Sequence, residues 1–170
     1  DSRGGPHGVT ITGEGRQVWP RLDPSRNGRD EPAETLSSGV PALDSLLGGG
    51  LTTGTVTFLS GPTGVGKTTT GLQFMNAAAS NGTRSVLYSF EESRQTMLDR
   101  AEAVGMPVRE LVADGRLVVN EIGPDEITVD KFTSRVRGAV ENDGAGIVMI
   151  DGVTGYERAF RTPDTTGQLV

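Results

Sequence analysis

Residues 55–82 read TVTFLSGPTGVGKTTTGLQFMNAAASNG, and the order of features along this stretch decides the fold. At its centre, residues 61–68 are Gly-Pro-Thr-Gly-Val-Gly-Lys-Thr, with every fixed position of the phosphate-binding pattern G-x-x-x-x-G-K-[ST] filled. A triphosphate is a dense anion and needs many donors at short range. Glycines at 61, 64 and 66 let the backbone approach closely enough for successive N–H groups to point at phosphate oxygens. The expected nucleotide contacts are Thr63, Gly64, Val65, Gly66, Lys67, Thr68 and Thr69. Lys67 can reach the β and γ phosphates, which also places it among the catalytic groups, and Thr68 offers a hydroxyl to Mg²⁺. Before the loop, 55–60 reads as a short β-strand; after it, 68–80 reads as a helix ending near Asn81-Gly82. Strand, loop and helix N-terminus in that order aim a helix dipole at the anion. The reading is a nucleoside triphosphate site.

Outward from this stretch, strand-like and helix-like segments alternate. Residues 85–90 and 117–121 are candidate strands, and 147–150 is a fully apolar one, as in a parallel sheet covered on both faces. Met97, Leu98, Ala101 and Val104 mark a helix over 93–104. Val129, Phe132, Val136 and Val140 mark another, with Thr128 as its N-cap. Such alternation predicts an α/β domain with a mostly parallel sheet flanked by helices. On the other side, residues 41–47 suggest one or two helical turns stopped by Gly48-Gly49-Gly50. Residues 1–34 read as a polar tail and linker in which Val9-Thr10-Ile11 and Gln17-Val18-Trp19 could form a hairpin. The domain is expected over 35–170 and to be C-terminally truncated, because such a sheet has about five or more strands.

Composition bounds the function. Of 170 residues, 34% are hydrophobic and 22% charged, an ordinary balance for a globular chain. No run approaches the roughly 18 apolar residues of a membrane span, and a cytoplasmic location is expected. Cysteine is absent, which removes disulfides and thiolate metal sites. His7 is read as solvated. Net charge is −6, with only Lys67 and Lys131 as lysines, and this acidic excess argues against a broad nucleic-acid footprint.

Three carboxylates lie where chemistry could use them. Asp151 follows the apolar run 147–150, at the C-terminal end of a strand, and should share the crevice of Lys67 and Thr68. There it could hold Mg²⁺; alternatively it opens a turn with Gly152. Glu91 and Glu92 close the strand 85–90 at the same edge, where a glutamate can orient water in line with the γ-phosphate. Equally, they could favour the start of the following helix through its dipole. Arg84, Arg94 and Arg158 read as solvated, and Trp19 and Tyr156 as packing or interface residues.

At this point a family resemblance becomes specific. Ser38-Gly39-Val40-Pro41-Ala42-Leu43-Asp44-Ser45-Leu46-Leu47-Gly48-Gly49-Gly50-Leu51 resembles the opening of the ATPase domain of KaiC-like proteins in the RecA superfamily. The loop at 61–68, then Phe90-Glu91-Glu92-Ser93, a helix with Gly105 after it, and Ile150-Asp151 follow in that family's order. The resemblance implies a RecA-like P-loop core, Mg²⁺ and ATP as ligands, Glu91 and Glu92 supplying the catalytic base, and a homohexameric ring with nucleotide at subunit interfaces. It also makes residues 1–22 look like the end of a preceding domain of the same type. The leading function is a slow ATPase in regulation or signalling. The alternatives are a nucleotide-gated assembly module with incidental turnover, and a DNA-dependent recombinase-type motor. Autokinase activity and DNA contacts do not transfer, since the segments responsible lie beyond Val170, and the resemblance identifies no protein partner.

Overall fold

The computed structural model describes residues 8–12, 15–19, 33–123, 128–152 and Gly155. Two strands, β1 (Gly8–Thr12) and β2 (Gly15–Trp19), pair antiparallel as the expected hairpin. Its turn, the linker up to residue 32, His7, Tyr156 and Arg158 lie outside the described residues. A two-residue pairing of β3 (Thr35–Leu36) with β4 (Leu51–Thr52) brackets α1 (Pro41–Leu46), which starts with proline at its first helical position.

The core is an α/β sandwich. Helix α2 (Lys67–Ser80) leads to β5 (Arg84–Ser89), then α3 (Arg94–Ala103), α4 (Val108–Ala113), β6 (Leu117–Glu121), α5 (Val129–Glu141) and β7 (Ala145–Asp151). The three strands form a parallel sheet in the order β6-β5-β7. Side chains of a strand alternate between faces, and β5 shows it cleanly. Leu87 packs on one face with Leu72, Met75 and Ala79 of α2, Met97, Leu98 and Ala101 of α3, and Val108 and Leu111 of α4. Val86 and Tyr88 face the other way, against Phe132 and Ala139 of α5. Tyr88 and Phe132 meet edge to face, with ring centroids 5.1 Å apart. Burial on both faces is why the middle of this strand, Val86-Leu87-Tyr88, is apolar without alternation, while the flanking Ser85 and Ser89 are buried with their hydroxyls hydrogen-bonded to backbone carbonyls. Burial also pushes the Tyr88 phenol upward in pKa.

The helix starts follow local chemistry. Ser93 Oγ accepts from the Thr96 amide and caps α3; Thr128 Oγ1 accepts from the Lys131 amide and caps α5, as its position before the apolar periodicity predicted.

One element departs from expectation. Residues 55–60 form no strand; Val56 and Phe58 are 81% and 84% exposed. Thr-Val-Thr-Phe has high β propensity, but a strand exists through its ladder bonds, and propensity alone does not supply them. Among the described residues, β7 pairs only with β5, and 55–60 does not dock in register on its outer edge. Arg84 also differs from the solvated reading: it is half-buried at the start of β5, with a buried Nε that makes no hydrogen bond among the described residues.

Candidate functional site

Parallel registration brings three chain-distant segments to one edge. Ser89 lies opposite Glu121 on one side and Asp151 on the other, and the Phe90 amide donates to the Asp151 carbonyl at 3.0 Å. Beyond this C-terminal edge, the chain after β5 turns through Glu91 and Glu92 into α3. The turn is built by Ser89, fully buried, whose Oγ donates to the Glu92 carbonyl at 2.7 Å and accepts from the Glu92 amide at 3.2 Å.

Helix α2 delivers the phosphate loop to the same place. Gly66, at φ +93°, is its N-cap and brings no side-chain cap, so the first-turn amides point out toward the loop. Gly64, at φ +85°, bends the loop in front of them. Four residues beyond Lys67 along α2, Gly71 lets the helix press onto β7: a Cβ there would stand 2.6 Å from the Met149 thioether. Thr68 lies on the same helix face one turn back, and Asp151 lies two residues beyond Met149. Their side chains meet. Thr68 Oγ1 lies 3.0 and 3.2 Å from the two Asp151 carboxylate oxygens. Lys67 turns back on its own loop, donating from Nζ to the carbonyls of Gly61 at 2.9 Å and Pro62 at 2.7 Å.

The two glutamates have different surroundings. Glu92 pairs with Arg100 of α3 at 2.6 Å. Glu91 is exposed and lies against Gly152, immediately after Asp151, and its Oε1 accepts from the Gly155 amide at 3.1 Å. The acid at the start of α3 is Glu121, from β6, whose Oε2 accepts from the Arg94 amide at 3.0 Å. Nothing in the local sequence marked Glu121 for that task, because it arrives through strand pairing.

The opening segment docks on α2 one turn beyond the loop. Asp44 accepts from the Ser37 hydroxyl at 2.5 Å and the Ser38 amide at 2.7 Å, while the Ser38 carbonyl accepts from Gln73 Nε2 at 2.8 Å. The Ser37 hydroxyl first, and then Ser38, hold the Asp44 carboxyl below its ordinary 3.8. Between this segment and the turn after α3 lies an open cavity of about 250 Å³ lined by Leu43, Thr69, Thr70, Gln73, Val104 and Met106.

The sequence pattern of the family described as "ATPase: KaiC" matches residues 36–169. This chain belongs to the KaiC family of ATPases. Its relatives include the circadian clock oscillator protein KaiC of Picosynechococcus sp., 28% identical over 175 residues, with 91% of this chain and 33% of the relative covered. The protein of that name from Acaryochloris marina is 29% identical over the same coverage, and that from Prochlorococcus marinus 30% over 144 residues, covering 72% of this chain and 28% of the relative. The chain thus spans about a third of the length of these relatives. The RecA-like P-loop core expected from the sequence is the fold observed, with a parallel sheet flanked by helices. Among the described residues, no helix is long and apolar enough to cross a membrane.

Proposed function

We propose that this KaiC-family chain binds Mg²⁺-ATP and hydrolyses it slowly, its nucleotide state governing assembly or signalling. The observation that carries the reading is the meeting of Thr68 with Asp151 at 3.0 Å across 83 residues of chain, at the N-terminus of α2. A hydroxyl beside a carboxylate is an oxygen donor set suited to a small hard cation, and uncapped amides behind Gly64 and Gly66 suit the phosphates. Bound Mg²⁺ supplies neutralisation of phosphate charge. The work of the chain is then divided. Residues 63–69 cradle the phosphates; Lys67 exchanges its two loop carbonyls for phosphate oxygens; Thr68 and Asp151 hold the metal. Glu91, exposed at the same edge, orients the attacking water and takes its proton. Glu92, tied to Arg100 in the last turn of α3, fastens the turn that carries Glu91 to that helix. The cavity beside Thr69 and Thr70, lined equally by polar and apolar side chains, offers the nucleoside a place beside the phosphates.

A homo-oligomer, with a hexameric ring as the leading form, and a cytoplasmic location complete the reading. The relatives' printed name, circadian clock oscillator protein, supports regulation over DNA work, as does the net charge of −6. The test is ATP turnover against Mg²⁺ concentration for the parent, Thr68→Ala and Asp151→Asn, with and without DNA. Both substitutions should weaken Mg²⁺ dependence and turnover together. Parental kinetics in both, or stimulation of the parent by DNA, would refute it.

A further inference from the structure

We propose that Gly152 and Gly155 are positioning residues for Glu91: lacking side chains, these two residues let their own backbone lie against the glutamate stem and hold one carboxylate oxygen. The inference rests on the reading of Glu91 as the group that orients water.

Three observations converge. Gly152 follows Asp151 directly and sits at φ +88°, a conformation that a side chain disfavours. A Cβ at Gly152 would stand 2.8 Å from Glu91 Cγ, 3.1 Å from Cδ and 3.3 Å from Cβ, so its empty face is filled by the glutamate. A Cβ at Gly155 would stand 2.9 Å from Phe90 Cβ and 3.0 Å from both Glu91 Cγ and the Phe90 carbonyl oxygen. Here the crowding atoms belong to the backbone or lie close to it, and Phe90 is anchored by the hydrogen bond its amide donates to the Asp151 carbonyl and by its ring against Phe132. These neighbours cannot simply swing away. The approach has a payoff in direction: the Gly155 amide donates to Glu91 Oε1 at 3.1 Å, while Oε2 has no hydrogen-bond partner among the described residues. One oxygen is held and the other is available for water. A carboxylate on a free three-bond stem would sample many rotamers; a stem walled by two glycine backbones and fixed at one oxygen samples few. Glu92 is held differently: its carboxylate accepts from Arg100.

Steady-state ATPase kinetics and Mg²⁺-ATP affinity test the idea for Gly155→Ala, Gly152→Ala, Glu91→Gln and each glycine variant combined with Glu91→Gln. Misplacing the carboxylate should lower kcat about 10- to 100-fold in each glycine variant. KM and ATP affinity should stay within about twofold, because nucleotide binding does not use Glu91. In the Glu91→Gln background the same glycine changes should lower kcat no further. An unchanged kcat in Gly155→Ala, with Glu91→Gln inactive, overturns this inference alone; so does an equal fractional loss in both backgrounds. Parental turnover in Glu91→Gln overturns the assignment of the base itself, and the inference with it. A measurement that needs no glycine variant uses the amide resonance of Gly155. Glu91→Ala should shift that resonance and speed its hydrogen exchange, whereas Glu92→Ala should leave both as they are. A Gly155 amide indifferent to Glu91→Ala overturns the proposal.

Discussion

Lys67 donates to two carbonyls of its own loop, so its charge is satisfied before any nucleotide arrives, and an incoming phosphate must outcompete those oxygens. A phosphate oxygen offers the ammonium a full opposite charge where a carbonyl offers only a dipole, which is why the exchange favours the ligand. Lys67→Ala should therefore abolish detectable Mg²⁺-ATP binding by calorimetry, a loss on the order of several kcal/mol; an unchanged affinity would remove the loop from the site. The paired glutamates make a sharper comparison. Glu91→Gln should keep ATP affinity and lower turnover roughly 100-fold or more. Glu92→Gln breaks a partly exposed ion pair with Arg100, a contact worth only about 1 kcal/mol or less, and should cost turnover far less. Arg100→Ala should reproduce Glu92→Gln. Equal losses in both Gln variants would reinstate the pair as one unit.

Elements explain what reading along the chain could and could not reach. Thr68 and Asp151 were legible because one follows a filled loop pattern and the other an apolar strand, and parallel sheets collect ligands at strand C-termini. The cap Thr128 was legible for a local reason, a hydroxyl just before apolar periodicity, whereas Ser93, read as the first residue of its helix, is that helix's cap. Helix α4 was missed: it is a six-residue helix with Pro107 in the N-cap position and no side-chain cap, its only cue being Val108, Leu111 and Val112. The strand expected at 55–60 failed for the opposite reason, a strong local pattern without a ladder partner. Contacts such as Glu92 with Arg100, Glu121 with Arg94 and Gly155 with Glu91 were invisible because tertiary folding alone creates them. Two element-scale outcomes are measurable. Leu87, fully buried in the central strand, should cost about 2–5 kcal/mol on truncation to Ala, read by urea unfolding. For Asp44 the sign follows from its lowered folded-state pKa: the charged form is favoured in the fold, so its contribution is present above 3.8 and is lost as pH falls through the lower folded value. Asp44→Asn should then melt lower than the parent at neutral pH, with the gap closing in acid. A gap that persists there would assign the effect to packing.

At the scale of the whole molecule, nucleotide and assembly should be linked, since anything that binds one state preferentially shifts its population. Light scattering should show Mg²⁺-ATP raising the particle mass of the parent and leaving Lys67→Ala unaffected; a mass independent of nucleotide in the parent would separate binding from assembly.

The contact between Thr68 and Asp151 joins points 83 residues apart, with all of β5, β6 and the helices α3 to α5 strung between them. A ligand that grips both ends acts as a drawstring on that loop. Opening the sheet would require letting go of the ligand, so the bound state should resist proteases at sites remote from the nucleotide, throughout the enclosed segment. Cellular ATP level would then be written directly into the lifetime of the folded chain.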